Sequence, residues 1–169
     1  MVYCQNRSIT VILLTLLVSG CGPGLRTIPA SGVLRWNGQP LSKAELTFMR
    51  KGAQGPAAIA TTNAEGHFRL TTGKYEGIVP GKYTVIVQKS SVAEMNIPDP
   101  LPDGMELSAY LQANNIIAHP LLPAVYGSVT QTPLEIEITE DGPNEFELQL
   151  QGTPPTPPKL SAPRRSPVN

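Results

Sequence analysis

Between residues 30 and 150, apolar and polar positions alternate with a period of two in a series of short runs. Leu34 and Trp36 flank Arg35. Ala44, Leu46 and Phe48 alternate with Glu45 and Thr47, and Ala58, Ala60 and Thr62 follow a Gly-containing loop over Lys51–Pro56. Phe68 and Leu70 oppose His67 and Arg69; Tyr83, Val85 and Val87 share one face. Near the end, Leu134, Ile136 and Ile138 alternate with Glu135, Glu137 and Thr139, and Phe146, Leu148 and Leu150 with Glu147 and Gln149. Each run predicts a strand with one apolar side. Turn signals separate them: Asn37-Gly38 for a tight hairpin, Asn63-Ala64-Glu65-Gly66, a Pro80-Gly81 type II turn, and Asp141-Gly142.

One-sided strands bury their apolar faces by packing sheet on sheet. The expected fold is therefore all-β: a single Greek-key-type β-sandwich of about seven strands with one long irregular insertion. The insertion is the stretch Ser90–Thr132, where alternation stops. It holds a Pro-rich loop over Ile97–Pro102. A short helix is expected within Asp103–Asn114, with Asp103 and Glu106 spaced as a capping box. Long irregular segments on a rigid scaffold carry recognition or simply connect, and both readings of residues 91–132 stay open on sequence alone.

The N-terminus changes the picture. After Arg7, residues Ile9–Val18 form an apolar run too short to span a bilayer, which takes about 20 residues, but suited to a signal-peptide core. Val18-Ser19-Gly20-Cys21 then resembles the bacterial lipobox: an aliphatic residue, two small ones, and the cysteine that takes a diacylglyceryl thioether. Residues 1–20 are thus expected to be a lipoprotein signal peptide, residues 21–29 a lipidated tether and Cys21 the lipidation site. The sandwich takes 30–152, and 153–169 form a disordered Pro-rich tail, six of whose seventeen residues are proline. Two or three acyl chains make a stable anchor, at about 0.8 kcal/mol per buried CH₂. The expected location is extracytoplasmic, in the cell envelope. Gly22 is not an acidic retention signal, which favours an outer membrane where one exists. The two cysteines, Cys4 and Cys21, leave a chain beginning at Cys21 without an internal disulfide.

Thirteen basic and thirteen acidic residues balance. That gives no electrostatic footprint for nucleic acid, which calls for a basic stripe. Eighteen prolines and fifteen glycines favour short strands over long helices.

Three of the runs also carry a family pattern. Gly32, Asn37-Gly38-Gln39-Pro40-Leu41 and Ala44-Glu45-Leu46-Thr47-Phe48 resemble the opening of a carboxypeptidase-regulatory-like domain, a transthyretin-like (prealbumin-like) sandwich. Thr62-Asn63-Ala64-Glu65-Gly66-His67-Phe68-Arg69-Leu70 resembles its central T-D-x-x-G-x-F-x-L hairpin, with Asn63 in place of Asp. Pro80-Gly81-Lys82-Tyr83-Thr84-Val85 resembles its P-G-x-Y-x-V strand entry. Leu122–Tyr126 and Thr132-Pro133-Leu134 are similar to a subset of small bacterial lipoproteins with this domain. The resemblance covers about residues 30–150 and implies a fold, not an activity.

Candidate chemistry is sparse. His67 on an outward strand face and His119 in a loop read as ordinary surface histidines, and no metal-ligand spacing surrounds them. Asp99, Asp103 and Glu106 share a loop without EF-hand spacing. Glu135 and Glu137 read as a solvated strand face. Transthyretin-like hydroxyisourate hydrolases carry a C-terminal Tyr-Arg-Gly-Ser motif; Tyr126-Gly127-Ser128 lacks the Arg and lies mid-chain. A pilin-type isopeptide would pair Lys43 with Asn144, but Lys43 falls in a turn. No catalytic, metal or cofactor residues are assigned. The expected function is that of a non-enzymatic, membrane-anchored structural or adhesive module, with a cell-envelope protein or polysaccharide as partner. The alternative is a carbohydrate-binding module, which would use Tyr75, Tyr110 and Tyr126.

Overall fold

The computed structural model describes residues 25–52 and 54–155. The expected export segment over 1–20, Cys21 and the residues beyond 155 lie outside the described residues. Ten strands and one short helix follow in order: β1 Ser31–Trp36, β2 Gln39–Pro40, β3 Glu45–Arg50, β4 Ala58–Thr61, β5 His67–Arg69, β6 Thr71–Thr72, β7 Tyr75–Glu76, β8 Gly81–Gln88, α1 Leu107–Ala113, β9 Glu135–Ile138 and β10 Glu145–Leu150. One sheet has the order β10-β1-β2, with β5 also on β1; the other runs β7-β6-β4-β3-β8-β9. The two pack face to face as an all-β sandwich.

The alternation places the core as expected. Leu34, Leu46, Phe48, Phe68, Leu70, Tyr83, Val85, Val87, Ile138, Leu148 and Leu150 are all buried. Phe48 and Phe68 meet across the two layers with ring centroids 6.1 Å apart. The Asn37-Gly38 hairpin forms with both residues at positive φ, 48° and 82°, the type I′ requirement. In the β4–β5 turn the Asn63 Oδ1 accepts from the amides of Glu65 (3.1 Å) and His67 (2.8 Å). Asn63 thus closes the turn through its side-chain carbonyl.

Three features depart from expectation. β1 and β10 pair in parallel, Ser31 with Glu145 through Trp36 with Leu150, whereas the second sheet is antiparallel throughout. Strands β2, β6 and β7 have two residues each, too short to show alternation, so ten strands replace about seven. Pro80-Gly81 makes no type II turn. Gly81 has φ 146° and already belongs to β8, where it pairs with Ile138 of β9; the Arg50 guanidinium lies over it and donates to the Pro80 carbonyl at 2.9 Å. Beside it the Tyr83 hydroxyl donates to the Val79 carbonyl at 2.7 Å, and burial raises its pKa above the usual tyrosine value. A side chain there closes the corner where the chain enters β8.

The strand register gives the sandwich two distinct poles. At one, the N-terminal pole, β1 and β8 begin, Ile28 exchanges backbone bonds with Ile78 (2.8 and 2.9 Å) and the β9–β10 hairpin turns. At the other, β1 and β8 end. There the Trp36 and Tyr126 rings meet edge to face at 6.4 Å, and the Gly152 amide donates to Asn37 Oδ1 at 3.2 Å. The eight residues of β8 put the poles about 25 Å apart.

Candidate functional site

The irregular segment leaves the sandwich at this far pole. Its base is clasped: the Leu121 amide donates to the Lys89 carbonyl (2.8 Å), the Ser91 amide to the His119 carbonyl (2.8 Å), and Ser91 Oγ accepts from the His119 amide (3.0 Å). Further on, the Thr132 hydroxyl donates to the Val85 carbonyl at 2.8 Å, so the return to β9 is pinned to β8. The expected helix is present as α1, but the capping box is not. Pro102–Gly104 forms a 3₁₀ turn in which Asp103 and Gly104 take φ 53° and 63°. That conformation ends the turn before a helix can start, so Glu106 itself becomes the N-cap residue, without a side-chain capping bond.

Held in this way, the segment stands off the sandwich and encloses a groove of about 920 Å³. Val87, Leu122, Pro123 and Ala124 form its sandwich side; Val92, Ile97, Leu101, Leu107 and Leu111 face them. The i, i+4 spacing of Leu107 and Leu111 puts both on one side of α1. Lys43, Glu45, Lys89, Asp99 and His119 supply the polar rim. Apolar walls with a few placed charges are the usual make-up of a recognition cleft. Exposed large apolar side chains also gather on this segment: Met95, Leu107, Ile117, Val125 and Val129. Such concentration marks interaction surfaces.

One ion pair braces the groove. The Lys89 side chain is only 9% exposed, yet its Nζ lies 2.6 Å from Glu94 Oε1, on a side chain 49% exposed. This hydrogen bond, and the charge of Lys89, hold the Glu94 carboxyl below its usual pKa. Sequence reading passed over this pair, since residues 89 and 94 match no helical or strand spacing. The groove itself was visible only as interrupted alternation.

The other candidate residues fall apart in space. His67 lies on the outer face of the first sheet, in a shallow hollow of about 870 Å³ with Arg69, Glu145 and Glu147. Among the described residues no three His, Cys, Asp or Glu side chains gather as a metal site would need. Glu135 and Glu137 are exposed, with Glu135 bound to Lys51. Lys43 and Asn144 sit at opposite poles. The Asn144 amide is engaged by Thr139 and Gly142 (3.0–3.3 Å), so it is not positioned to meet Lys43. Tyr126 is buried, its hydroxyl donating to the Gln151 carbonyl at 3.0 Å. Tyr75 lies on edge strand β7, whereas Tyr110 lies on α1 at the far pole. The three tyrosines therefore make no shared platform.

Comparison with protein-family models, curated proteins and solved structures finds no match for the chain. Among the described residues no helix is long and apolar enough to cross a membrane.

Proposed function

We propose that this chain is a non-enzymatic cell-envelope lipoprotein of the transthyretin-like, carboxypeptidase-regulatory-like type. It is anchored through lipid on Cys21, and it binds a partner in the groove beneath residues 89–127. The observation that carries the binding role is the groove: apolar on both sides, rimmed by charge and built by a long segment that a simple strand connection would not need. The Val18-Ser19-Gly20-Cys21 box supports the anchor. The strand register supports a direction. Six residues, Gly22–Thr27, separate Cys21 from Ile28, at most about 20 Å of chain. A lipid there holds the N-terminal pole near the bilayer and turns the groove outward.

Two experiments test the two halves of this reading. Cys21→Ala should abolish incorporation of labelled fatty acid and leave an uncut precursor; normal labelling would remove the anchor. A photo-crosslinking residue at position 107 should capture a cell-envelope component that one at Ile59, exposed on the second sheet, does not. Equal capture from both positions, or undiminished retention of the same component by a chain lacking residues 98–119, would move binding away from the groove.

A further inference from the structure

Charge is segregated along this chain. From Ser90 to Pro158 there is no Lys or Arg, while the segment over the groove carries Glu94, Asp99, Asp103 and Glu106. The next cations are Lys159, Arg164 and Arg165, in a stretch from 153 to 169 with no acidic residue. The chain leaves β10 against the groove wall. The Gln151 amide donates to the Tyr126 hydroxyl at 2.9 Å, and Gly152 packs against Pro123, itself part of that wall. Pro155, the last described residue, is already half-buried.

We propose that the Pro-rich segment 156–169 of this same chain occupies the groove as a built-in competitor for its partner. Three observations meet here: where the segment departs, how far it reaches and what charge it carries. Fourteen residues extended at about 3.1 Å each reach about 40 Å, further than the sandwich is long. Leu160 and the prolines suit the apolar walls. The rim holds Lys43 beside Glu45, so the attraction for the three cations comes from Asp99 and from the exposed carboxylates of Asp103 and Glu106 on the segment over the groove. Prolines lose little conformational entropy on docking. Attachment at the groove's edge raises the effective concentration to the millimolar range, so a segment binding at about 100 μM in trans would fill the groove some nine times in ten. An outside partner would then bind about tenfold more weakly than to the emptied groove.

This inference rests on the groove being a binding site. The test uses the full mature chain and a triple charge reversal, Lys159→Glu, Arg164→Glu and Arg165→Glu, with Leu160→Asp as a second variant. Amide hydrogen exchange is followed over residues 92–127. Both variants should exchange several-fold faster there and unchanged in β3 and β8. A synthetic peptide of residues 153–169, added to the charge-reversed protein, should restore the slower rates. Rates equal to those of the unmodified chain would overturn the proposal. Protection that disappears on tenfold dilution would overturn it too, since the segment would then come from a second copy. Crosslinking from position 107 in the charge-reversed chain separates the two readings: undiminished capture leaves the partner site standing even if the tail does not dock, and its loss removes the partner site itself.

Discussion

Replacing Glu94 should cost more than replacing Lys89, although Glu94 is the more exposed of the two. The Lys89 ammonium is held where its side chain is only 9% exposed, and the Glu94 carboxylate is 2.6 Å away. Exposed pairs contribute about 0.2–1 kcal/mol, whereas removing one member of a fully buried pair costs about 3–5 kcal/mol, because the other charge is stranded. This pair is buried on the lysine side only. Glu94→Gln strands the lysine and should cost about 1–2 kcal/mol, between those limits. Lys89→Met keeps the apolar stem and leaves Glu94 facing water, so it should stay within about 0.5 kcal/mol of the parent. The pH dependence follows in sign. The Glu94 carboxyl has a lowered pKa in the fold, so its contribution is complete above the ordinary glutamate value of 4.5 and lost as pH falls through the folded value. Urea unfolding at pH 7 and at pH 3.5 measures both effects. With m of about 1–3 kcal/mol/M, Glu94→Gln should lower the midpoint by about 0.3–2 M at neutral pH and by less in acid. Equal losses for the two variants, or a Glu94→Gln loss that persists undiminished at pH 3.5, would refute the stranded-charge argument.

Phe68→Ala should cost about 3–5 kcal/mol in the same assay, the range for emptying a buried aromatic site; a near-neutral curve would contradict its place between the sheets. Gly32→Ala should cost about 1–3 kcal/mol, as overpacking does, since a Cβ there would lie 2.3 Å from the Phe146 carbonyl oxygen and 2.8 Å from the Phe68 ring. Shortening the ring with Phe68→Leu should not rescue it, because the backbone clash remains; full rescue in the double variant would show that β1 and β10 are not packed as described. Tyr83→Phe should lose about 1 kcal/mol with its hydroxyl bond to Val79. Because burial raises the Tyr83 pKa, the parent should lose stability as pH rises above 10, the ordinary tyrosine value; that loss should shrink in Tyr83→Phe, and an unchanged alkaline titration would remove the argument.

The strands were legible where six or so residues alternate about a sheet plane, and the buried set of Leu46, Phe48, Tyr83, Val85 and Val87 follows from that period alone. Two-residue strands carry no period, so β2, β6 and β7 emerge only from their neighbours. The parallel match of β1 with β10 joins residues more than a hundred apart, and nothing local encodes it. The same limit applies at the groove. Leu107 and Leu111 read as a helix face, but what they face depends on the clasp between Lys89–Ser91 and His119–Leu121. The Asp103–Glu106 spacing misled because Gly104 and the positive φ of Asp103 interrupt the path that a capping box requires.

The parallel contact between β1 and β10 also has a mechanical meaning. The chain enters β1 at the pole where a lipid would hold it and leaves β10 at the opposite pole. Tension between a lipid on Cys21 and anything that grips the chain beyond β10 would therefore pull these two neighbouring strands in opposite directions along their length. Bonds lying across the direction of pull share a shear load together, whereas those of a hairpin opened from its end fail in turn like a zipper. The ladder from Ser31–Glu145 to Trp36–Leu150 would thus bear the force all at once, which suits a domain that keeps its shape while tethered at one end and gripped at the other.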